Sequence, residues 1–218
     1  MFKGALFDLD GVIANTADLH FKAWQKLARN YFKAELPIEL EEKTKGISRS
    51  DSLQVILDSL KITLTSTEFS HLANEKNEIY KAYLDKLTVA DILPGIDNFI
   101  AELKTQHIRL ALASASQNGP VILQKLGLAT AFDTIVDPKQ VAHGKPAPDI
   151  FIAAAQSLNL QPVQCIGLED SIAGITAINA SGAISIAIGD AAKLKAAYKI
   201  VADTTQLNLA TVTAVFKH

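Results

Sequence analysis

Six short apolar runs recur along the chain, and from about residue 91 onwards they alternate with segments of helical periodicity. Short continuous apolar runs are typical of strands that are buried on both faces. Strands that alternate with helices form a parallel sheet whose two faces are covered by those helices. The sequence therefore predicts an α/β fold with a doubly wound parallel sheet. The runs cover residues 5–9, 108–113, 133–136, 164–168, 183–188 and 199–202.

Residues 16–90 break this alternation, because they show helical periodicity without an intervening apolar run. The first apolar stripe at helical spacing consists of Phe21, Trp24, Leu27 and Tyr31. Such stripes favour a packed core over a cofactor site. We predict that a small helical cap domain, residues 16–90, is inserted into an α/β core domain that consists of residues 1–15 and 91–218.

The composition limits the classes of function. The chain has 218 residues with 49% hydrophobic and 20% charged content, which is typical of a globular protein. A net charge of -2, without a cluster of basic and aromatic residues, makes nucleic acid a poor partner. Cys165 is the only cysteine, so no intramolecular disulfide can form. No signal peptide or membrane span is evident, and we expect a cytoplasmic monomer that acts on a small molecule without a membrane partner.

Two carboxylates, Asp8 and Asp10, follow the first apolar run where a buried strand would reach solvent. Side chains two residues apart share a face of an extended chain. One could therefore act as a nucleophile and metal ligand, and the other as a proton shuttle. An aspartate before Gly11 at a strand end is also an ordinary turn signal. This motif alone leaves both interpretations open.

Polar residues follow three further runs. The hydroxyls of Ser114 and Ser116 precede a helix and could bind phosphate oxygens, although a plain helix cap by Ser116 or Asn118 is the alternative. Lys145 stands between Gly and Pro and could neutralise a phosphoryl group, although a lone lysine is usually solvated. Glu169 and Asp170 would repel each other and the first acidic pair unless a cation lay among them. Carboxylate oxygens suit Mg²⁺.

The order of these motifs, each after a predicted strand, resembles that of the haloacid dehalogenase superfamily over the full length of the chain. The four motifs of that superfamily correspond to Asp8 with Asp10, Ser114, Lys145, and Glu169 with Asp170. Within the superfamily, the chain is most similar to enzymes that move a phosphoryl group between two positions of glucose. The supporting stretches are residues 7–13, 45–49, 112–116, 144–151 and 166–171.

The resemblance implies roles for the residues of these motifs. Asp8 would be the nucleophile that becomes phosphorylated, and Asp10 the general acid and base that serves the sugar hydroxyl. Asp8, the backbone carbonyl of Asp10 and Asp170 would hold Mg²⁺, with Glu169 supporting the site directly or through water. The side chains expected to bind the transferring phosphoryl group are Ser114 and Lys145.

The resemblance also implies a second phosphate site, away from the reacting centre. The forked guanidinium of Arg49 suits it, although a solvated arginine at a helix start is the alternative. His20 could orient Asp10, and Lys76 could contact sugar or phosphate or be a solvated charge. The residues expected to bind substrate are Gly46, Ile47, Arg49, Ser116, Gln117, Asn118, His20 and Lys76.

The chain departs from the family pattern in two places. Gln117 stands where a lysine is usual, so we expect weaker phosphate binding. Residues 14 and 15, Ala and Asn, replace the more usual Thr and Asp. The details of the family's hinge, the segment where the chain enters the cap, are therefore not carried over to this chain. The family also often has a cis bond at the position of Lys145–Pro146, and the sequence leaves both isomers open.

The expected reaction interconverts β-D-glucose 1-phosphate and β-D-glucose 6-phosphate, through an aspartyl phosphate and β-glucose 1,6-bisphosphate. A phosphatase of the same superfamily that acts on a small sugar phosphate is the alternative, and Gln117 keeps it open. A non-catalytic domain that accepts phosphate on an aspartate needs neither the cap nor Asp10. The sequence therefore favours an enzyme.

Overall fold

A six-stranded parallel sheet forms the centre of the protein, which we describe from a computed structural model over residues 2–216. Met1, Lys217 and His218, which the predicted core domain includes, lie outside the described residues. The strand order is β3-β2-β1-β4-β5-β6, and each predicted apolar run contains one strand. The prediction of a doubly wound parallel sheet is confirmed. The strands are β1 Gly4–Phe7, β2 Arg109–Leu112, β3 Thr134–Ile135, β4 Cys165–Glu169, β5 Ile184–Ile188 and β6 Lys199–Val201.

Helices cover both faces of the sheet. Alternate strand residues face opposite sides, so Phe7 packs with α5 and α6, whereas Leu6 packs with α7 and α8. Both side chains are fully buried, and so is Cys165, as predicted for a strand residue. Two apolar cores therefore hold β1 in the middle of the sheet. The helices of this part are α5 Ile96–Thr105, α6 Gly119–Lys125, α7 Asp149–Ser157, α8 Ile172–Ser181 and α9 Leu209–Thr213.

The first four helices after β1 share an apolar cluster of their own. Phe21, Trp24 and Leu27 are buried in it as predicted, but Tyr31 is 44% exposed, because it lies near the end of its helix beside the exposed His71. Within the described residues, no helix has the length and apolar character that a membrane span requires. The four helices are α1 Ala17–Phe32, α2 Glu39–Thr44, α3 Arg49–Leu60 and α4 Ser66–Leu84.

The chain leaves the sheet for these helices, and returns from them, through two segments that lie side by side. Ala14 and Ile92 form an antiparallel bridge, and the amide of Leu93 donates to the carbonyl of Ile13 over 2.9 Å. This pairing uses the backbone only. The unusual residues at positions 14 and 15 therefore leave the paired hinge intact.

Truncation of Phe99 tests the packing beneath β1. The Phe99 ring is 1% exposed, and its centroid lies 6.1 Å from that of Phe7. We expect Phe99→Ala to lower the free energy of unfolding by about 3–5 kcal/mol, because the cavity left behind cannot fully close. Val121→Ala is the control, since Val121 is 48% exposed and its loss should change stability by less than about 0.5 kcal/mol. Urea unfolding measures both, and equal effects would contradict this packing.

Candidate active site

The predicted motif residues meet at the carboxyl ends of three neighbouring strands. Asp8 follows β1, Ser114 follows β2, and Glu169 ends β4, and β1 lies between the other two strands. Open parallel sheets bind ligands at this edge, where the strand order reverses. A cavity of about 650 Å³ lies here, between the strand ends and the inserted helices. The predicted site residues that line it are Asp8, Asp10, His20, Gly46, Ile47, Arg49, Lys76, Ser114, Ser116, Gln117 and Asn118.

Lys145 lies between two buried carboxylates. Its Nζ atom is 2.6 Å from Oδ1 of Asp8 and 2.7 Å from Oε2 of Glu169, and all three side chains are buried. Burial opposes the charge of Lys145, but the two carboxylates outweigh it and raise the pKa of its ammonium group. The bond from Lys145 to Pro146 is cis. Lys145 therefore supplies one of the positive charges that the clustered acids need. The alternative that Lys145 is a solvated surface lysine is wrong.

Glu169 is held in place by the start of α8. Its Oε1 atom accepts hydrogen bonds from the amides of Asp170 and Ser171, at 3.0 and 3.1 Å, and from the hydroxyl of Ser171 at 2.9 Å. A Cβ atom on Gly174 would lie 1.9 Å from Oε2 of Glu169, so the helix approaches this carboxylate closely because of the glycine. Since both oxygens already accept hydrogen bonds, Glu169 is well suited to fix Lys145.

Asp170 contacts a cation from the inserted helices. Its Oδ2 atom lies 2.8 Å from Nζ of Lys45, which follows α2. Burial raises the pKa of Asp170, Lys45 opposes this and Glu169 adds to it, which leaves the pKa at about 7. Gly11, at a φ of +78°, packs against the same carboxylate, where a Cβ atom would lie 1.7 Å from Oδ2. The turn after β1 therefore fits around Asp170.

Three carboxylates could hold a metal ion here. Asp8, Glu169 and Asp170 each present an oxygen, and these oxygens lie within 4.8 Å of one another. Burial and the charge of Glu169 raise the pKa of Asp8, despite the opposing effect of Lys145. The negative charge of the cluster is thus only partly balanced by Lys145 and Lys45. Hard oxygen ligands with excess negative charge fit a divalent cation of the Mg²⁺ type.

Asp10 contacts a different set of side chains from Asp8. Its Oδ1 atom accepts hydrogen bonds from the hydroxyls of Thr16 at 2.5 Å and Tyr80 at 3.3 Å. Its Oδ2 atom lies 3.5 Å from Nε2 of His20. Burial would raise the pKa of Asp10, but His20 and the hydrogen bonds from His20 and Thr16 lower it to about 2. Asp10 is therefore held as an anion that can accept a proton.

Lys76 fixes the tautomer of His20. Its Nζ atom lies 2.6 Å from Nδ1 of His20. An ammonium group can only donate, so Nδ1 accepts and the proton of a neutral imidazole is on Nε2, which faces Asp10. Burial and Lys76 lower the pKa of His20 and favour this neutral form. Lys76 itself is 2% exposed and lies over the rings of Trp24 and Tyr80, so it is not a solvated charge.

Arg49 also lines the cavity. It begins α3, where the hydroxyl of Ser48 accepts from the amide of Asp51 and donates to its carboxylate. Arg49 is half-buried, and burial lowers the pKa of its guanidinium. In the part of the chain that the structure describes, no carboxylate lies within ion-pair distance of Arg49. Its guanidinium is therefore available to an anion in the cavity.

The loop after β2 also lines the cavity and is braced by hydrogen bonds from its own side chains. The hydroxyl of Ser114 accepts from the amide of Ser116 at 3.1 Å, and that of Ser116 accepts from the amide of Asn118 at 3.3 Å. The Asn118 side chain does not cap α6, since it donates instead to Asn77 on α4 over 3.1 Å. Gln117 is exposed on this loop and brings no charge.

Sequence reasoning missed three contacts of the site, those of Tyr80, Lys45 and Asn77. Tyr80 follows Lys76 by four residues, so helical spacing placed them on one face. Lys45 precedes Gly46, whose φ of +76° and close approach to the Ser171 hydroxyl bring the two segments together. No signal in the sequence pointed to Asn77.

Comparisons with known proteins agree with this geometry. The sequence pattern of the haloacid dehalogenase-like hydrolases matches residues 2–182. The chain is 40% identical to β-phosphoglucomutase of Bacillus subtilis (strain 168) over 211 residues, which is 95% of this chain and 92% of that protein. It is 31% identical to fructose-1-phosphate phosphatase YqaB of Escherichia coli (strain K12) over 185 residues, 83% of this chain and 93% of that protein.

A solved structure extends the similarity to the whole fold. The crystal structure of β-phosphoglucomutase from Clostridium difficile has a TM-score of 0.96 and 38% identity, and the match covers 99% of this chain and 97% of that one. The chain belongs to the haloacid dehalogenase-like hydrolase family, as its motifs predicted. Within the family, it is similar over nearly its whole length to the two β-phosphoglucomutases.

Lys76 provides a test of the buried charges. Burial and Arg49 lower its pKa from 10.5 to about 7, so the folded protein binds fewer protons than the unfolded chain between these values. Its charge therefore destabilises the fold fully below pH 7, and this cost disappears as the pH rises to about 10.5. We expect the stability of Lys76→Met relative to the wild type to fall with pH, by about 1.4 kcal/mol per unit above pH 7.

Urea unfolding of both proteins from pH 6 to pH 9.5 measures this difference. The matched control is Lys81→Met on the same helix, because Lys81 is exposed and pairs with Glu78 at the surface. Its stability difference should vary by less than about 0.5 kcal/mol over that range. A difference for Lys76→Met that does not depend on pH would contradict the buried, destabilised ammonium.

Proposed function

We propose that the chain is a β-phosphoglucomutase, which interconverts β-D-glucose 1-phosphate and β-D-glucose 6-phosphate through an aspartyl phosphate and β-glucose 1,6-bisphosphate. The observation that carries the proposal is the arrangement of two carboxylates at one strand end. Asp8 lies against Lys145, whereas Asp10 is held by Thr16, His20 and Tyr80. The similarity to two β-phosphoglucomutases supports the same reaction.

Asp8 is the nucleophile in this proposal. Its carboxylate attacks the phosphorus of a sugar phosphate, the bond from phosphorus to the sugar oxygen breaks, and an aspartyl phosphate forms. Lys145 lies 2.6 Å from Oδ1 of Asp8, and Ser114 lines the cavity next to it. We assign to these two side chains the task of holding the oxygens of the phosphoryl group. Positioning and charge stabilisation supply most of the rate of such transfers.

Asp10 moves the proton. It gives a proton to the sugar oxygen that leaves, and it takes one from the sugar hydroxyl that later attacks the phosphorus. Its pKa of about 2 makes it an anion before substrate arrives, ready for the second task. A negatively charged phosphoryl group nearby would raise its pKa, so that the same side chain can also hold a proton.

We propose Mg²⁺ as the cofactor. Asp8, the backbone carbonyl of Asp10 and Asp170 would hold it, and Glu169, whose oxygens already accept hydrogen bonds, would support the site from behind. Bound Mg²⁺ would neutralise charge on the phosphoryl oxygens. The lysines in contact with Asp8 and Asp170 provide part of this charge balance themselves.

The distal phosphate of the sugar would bind in the same cavity, away from Asp8. Arg49 supplies the charge there, and Ser116, Gln117 and Asn118 supply neutral groups. The remaining predicted substrate-binding residues also line the cavity, on the side of the inserted helices. These are His20, Gly46, Ile47 and Lys76.

A sugar-phosphate phosphatase is the second candidate. The similarity to the Escherichia coli fructose-1-phosphate phosphatase and the neutral Gln117 favour it. The guanidinium of Arg49, which lines the same cavity as Asp8 and Asp10, favours the mutase. Three further expectations stay predictions. These are the division into a core and a cap of residues 16–90, the monomeric state and the cytoplasmic location.

One assay separates the two functions. The purified protein is incubated with β-glucose 1-phosphate, Mg²⁺ and a trace of β-glucose 1,6-bisphosphate, and both glucose 6-phosphate and free phosphate are followed. We expect glucose 6-phosphate to be the main product and chelation of the metal to stop the reaction. Asp8→Asn is the control and should form neither product. Release of free phosphate as the main product would contradict the mutase proposal.

Replacement of Arg49 tests the distal phosphate site. We expect Arg49→Ala to lower kcat/KM for glucose phosphate by roughly 10- to 100-fold, because a charged, bidentate contact is lost. Phosphorylation of Asp8 by acetyl phosphate, which has no distal phosphate, should change by less than about twofold. The opposite variant, Gln117→Lys, adds a charge on the facing loop and should lower KM for glucose phosphate. An Arg49→Ala protein with unchanged kcat/KM would exclude the assigned contact.

A further inference from the structure

Tyr80 contacts Asp10, although it belongs to none of the sequence motifs. Its hydroxyl lies 3.3 Å from Oδ1 of Asp10 and donates to it, and the residue is fully buried. Asp10 follows β1, whereas Tyr80 is in the last half of α4. The contact therefore joins the acid of the core to an inserted helix.

The Tyr80 ring is fixed on several sides. It stacks on the imidazole of His20, with centroids 3.8 Å apart and planes inclined by 24°. The ammonium of Lys76 lies 4.9 Å from the ring centroid. The rest of the ring packs into the apolar cluster of the core, which includes Leu9 and Ile13 next to the acidic pair. A ring held in this way points its hydroxyl in one direction.

We propose that Tyr80 is a positioning residue for the proton transfer of the mutase reaction. Its hydroxyl, together with that of Thr16, keeps Oδ1 of Asp10 as an acceptor. Oδ2 of Asp10 is then left to exchange the proton with the sugar. This inference rests on the proposed function and adds a residue to it. In the forward step, the proton of the sugar hydroxyl moves to Oδ2 while the sugar oxygen bonds to phosphorus and the bond from phosphorus to Asp8 breaks.

Hydrogen bonding supports this choice of oxygen. Oδ1 accepts from two hydroxyls, at 2.5 and 3.3 Å. A proton on Oδ1 would have to donate to one of them and would deprive a buried hydroxyl of its acceptor, which is costly. Among residues 2–216, Oδ2 has only the longer contact of 3.5 Å with Nε2 of His20. Oδ2 is thus the oxygen that can gain and lose a proton while the buried hydrogen bonds persist.

Tyr80→Phe removes the hydroxyl and keeps the stacked ring. We expect kcat of the mutase reaction to fall by roughly five- to tenfold, with KM within about twofold of the wild type. Acetyl phosphate separates the steps, because acetate leaves without a proton and Asp8 can be phosphorylated without help from Asp10. Single-turnover phosphorylation by acetyl phosphate, measured by quenched flow and intact-protein mass, should stay within about twofold.

The matched control is Tyr83→Phe on the same helix, since Tyr83 is only half-buried and lies outside the cavity lining. It should leave both rates unchanged. A Tyr80→Phe protein that slows phosphorylation by acetyl phosphate as much as the mutase reaction would show a merely structural role. Unchanged mutase turnover would also overturn the inference. A wild-type protein that releases only phosphate would instead overturn the proposed function, and with it this inference.

Discussion

The buried contact of Lys145 with Asp8 and Glu169 is the interaction on which the site depends. Three charged groups are removed from water, and each is tolerated because the others balance it. Glu169 is itself fixed by the amides at the start of α8 and by the close approach of Gly174. Removing one partner from such a group leaves an unpaired buried charge that costs about 3–5 kcal/mol. The two ion pairs of Lys145 therefore connect its loop to the ends of β1 and β4 and, through Glu169, to the start of α8.

The second carboxylate depends on different parts of the chain. Asp10 leaves the same strand end as Asp8, but its partners are Thr16 at the hinge, His20 on α1 and Tyr80 on α4. The orientation of the Asp10 carboxylate is thus set by the inserted helices, which also form one wall of the cavity. Closure of these helices over a substrate would exclude water from the cavity while they hold Asp10. This arrangement favours transfer to a sugar hydroxyl over transfer to water.

Most of the sheet and the motif residues could be predicted from local sequence. Each apolar run contained a strand, and parallel strands bring residues that follow them, such as Asp8, Ser114 and Glu169, to one edge. The contacts of Tyr80 with Asp10 and of Lys45 with Asp170 could not be predicted, since they join residues 70 and 125 positions apart in the chain. Such contacts depend on how the inserted helices pack on the strand ends, and apolar periodicity shows only which face is buried.

The pKa values of the two acids at the end of β1 are shifted in opposite directions, although both acids are aspartates. Burial and the carboxylate of Glu169 raise the pKa of Asp8, whereas His20 and hydrogen-bond donors lower that of Asp10 to about 2. Asp8 needs nearby positive charge to act as an anion. Lys145 supplies such charge in direct contact with Asp8, and the proposed metal would add to it. Asp10 is an anion without a metal, because His20 and the hydrogen bonds from His20 and Thr16 keep its pKa low. The neighbours of each carboxylate, rather than its residue type, therefore support the roles proposed for the two acids, nucleophilic attack for Asp8 and proton transfer for Asp10.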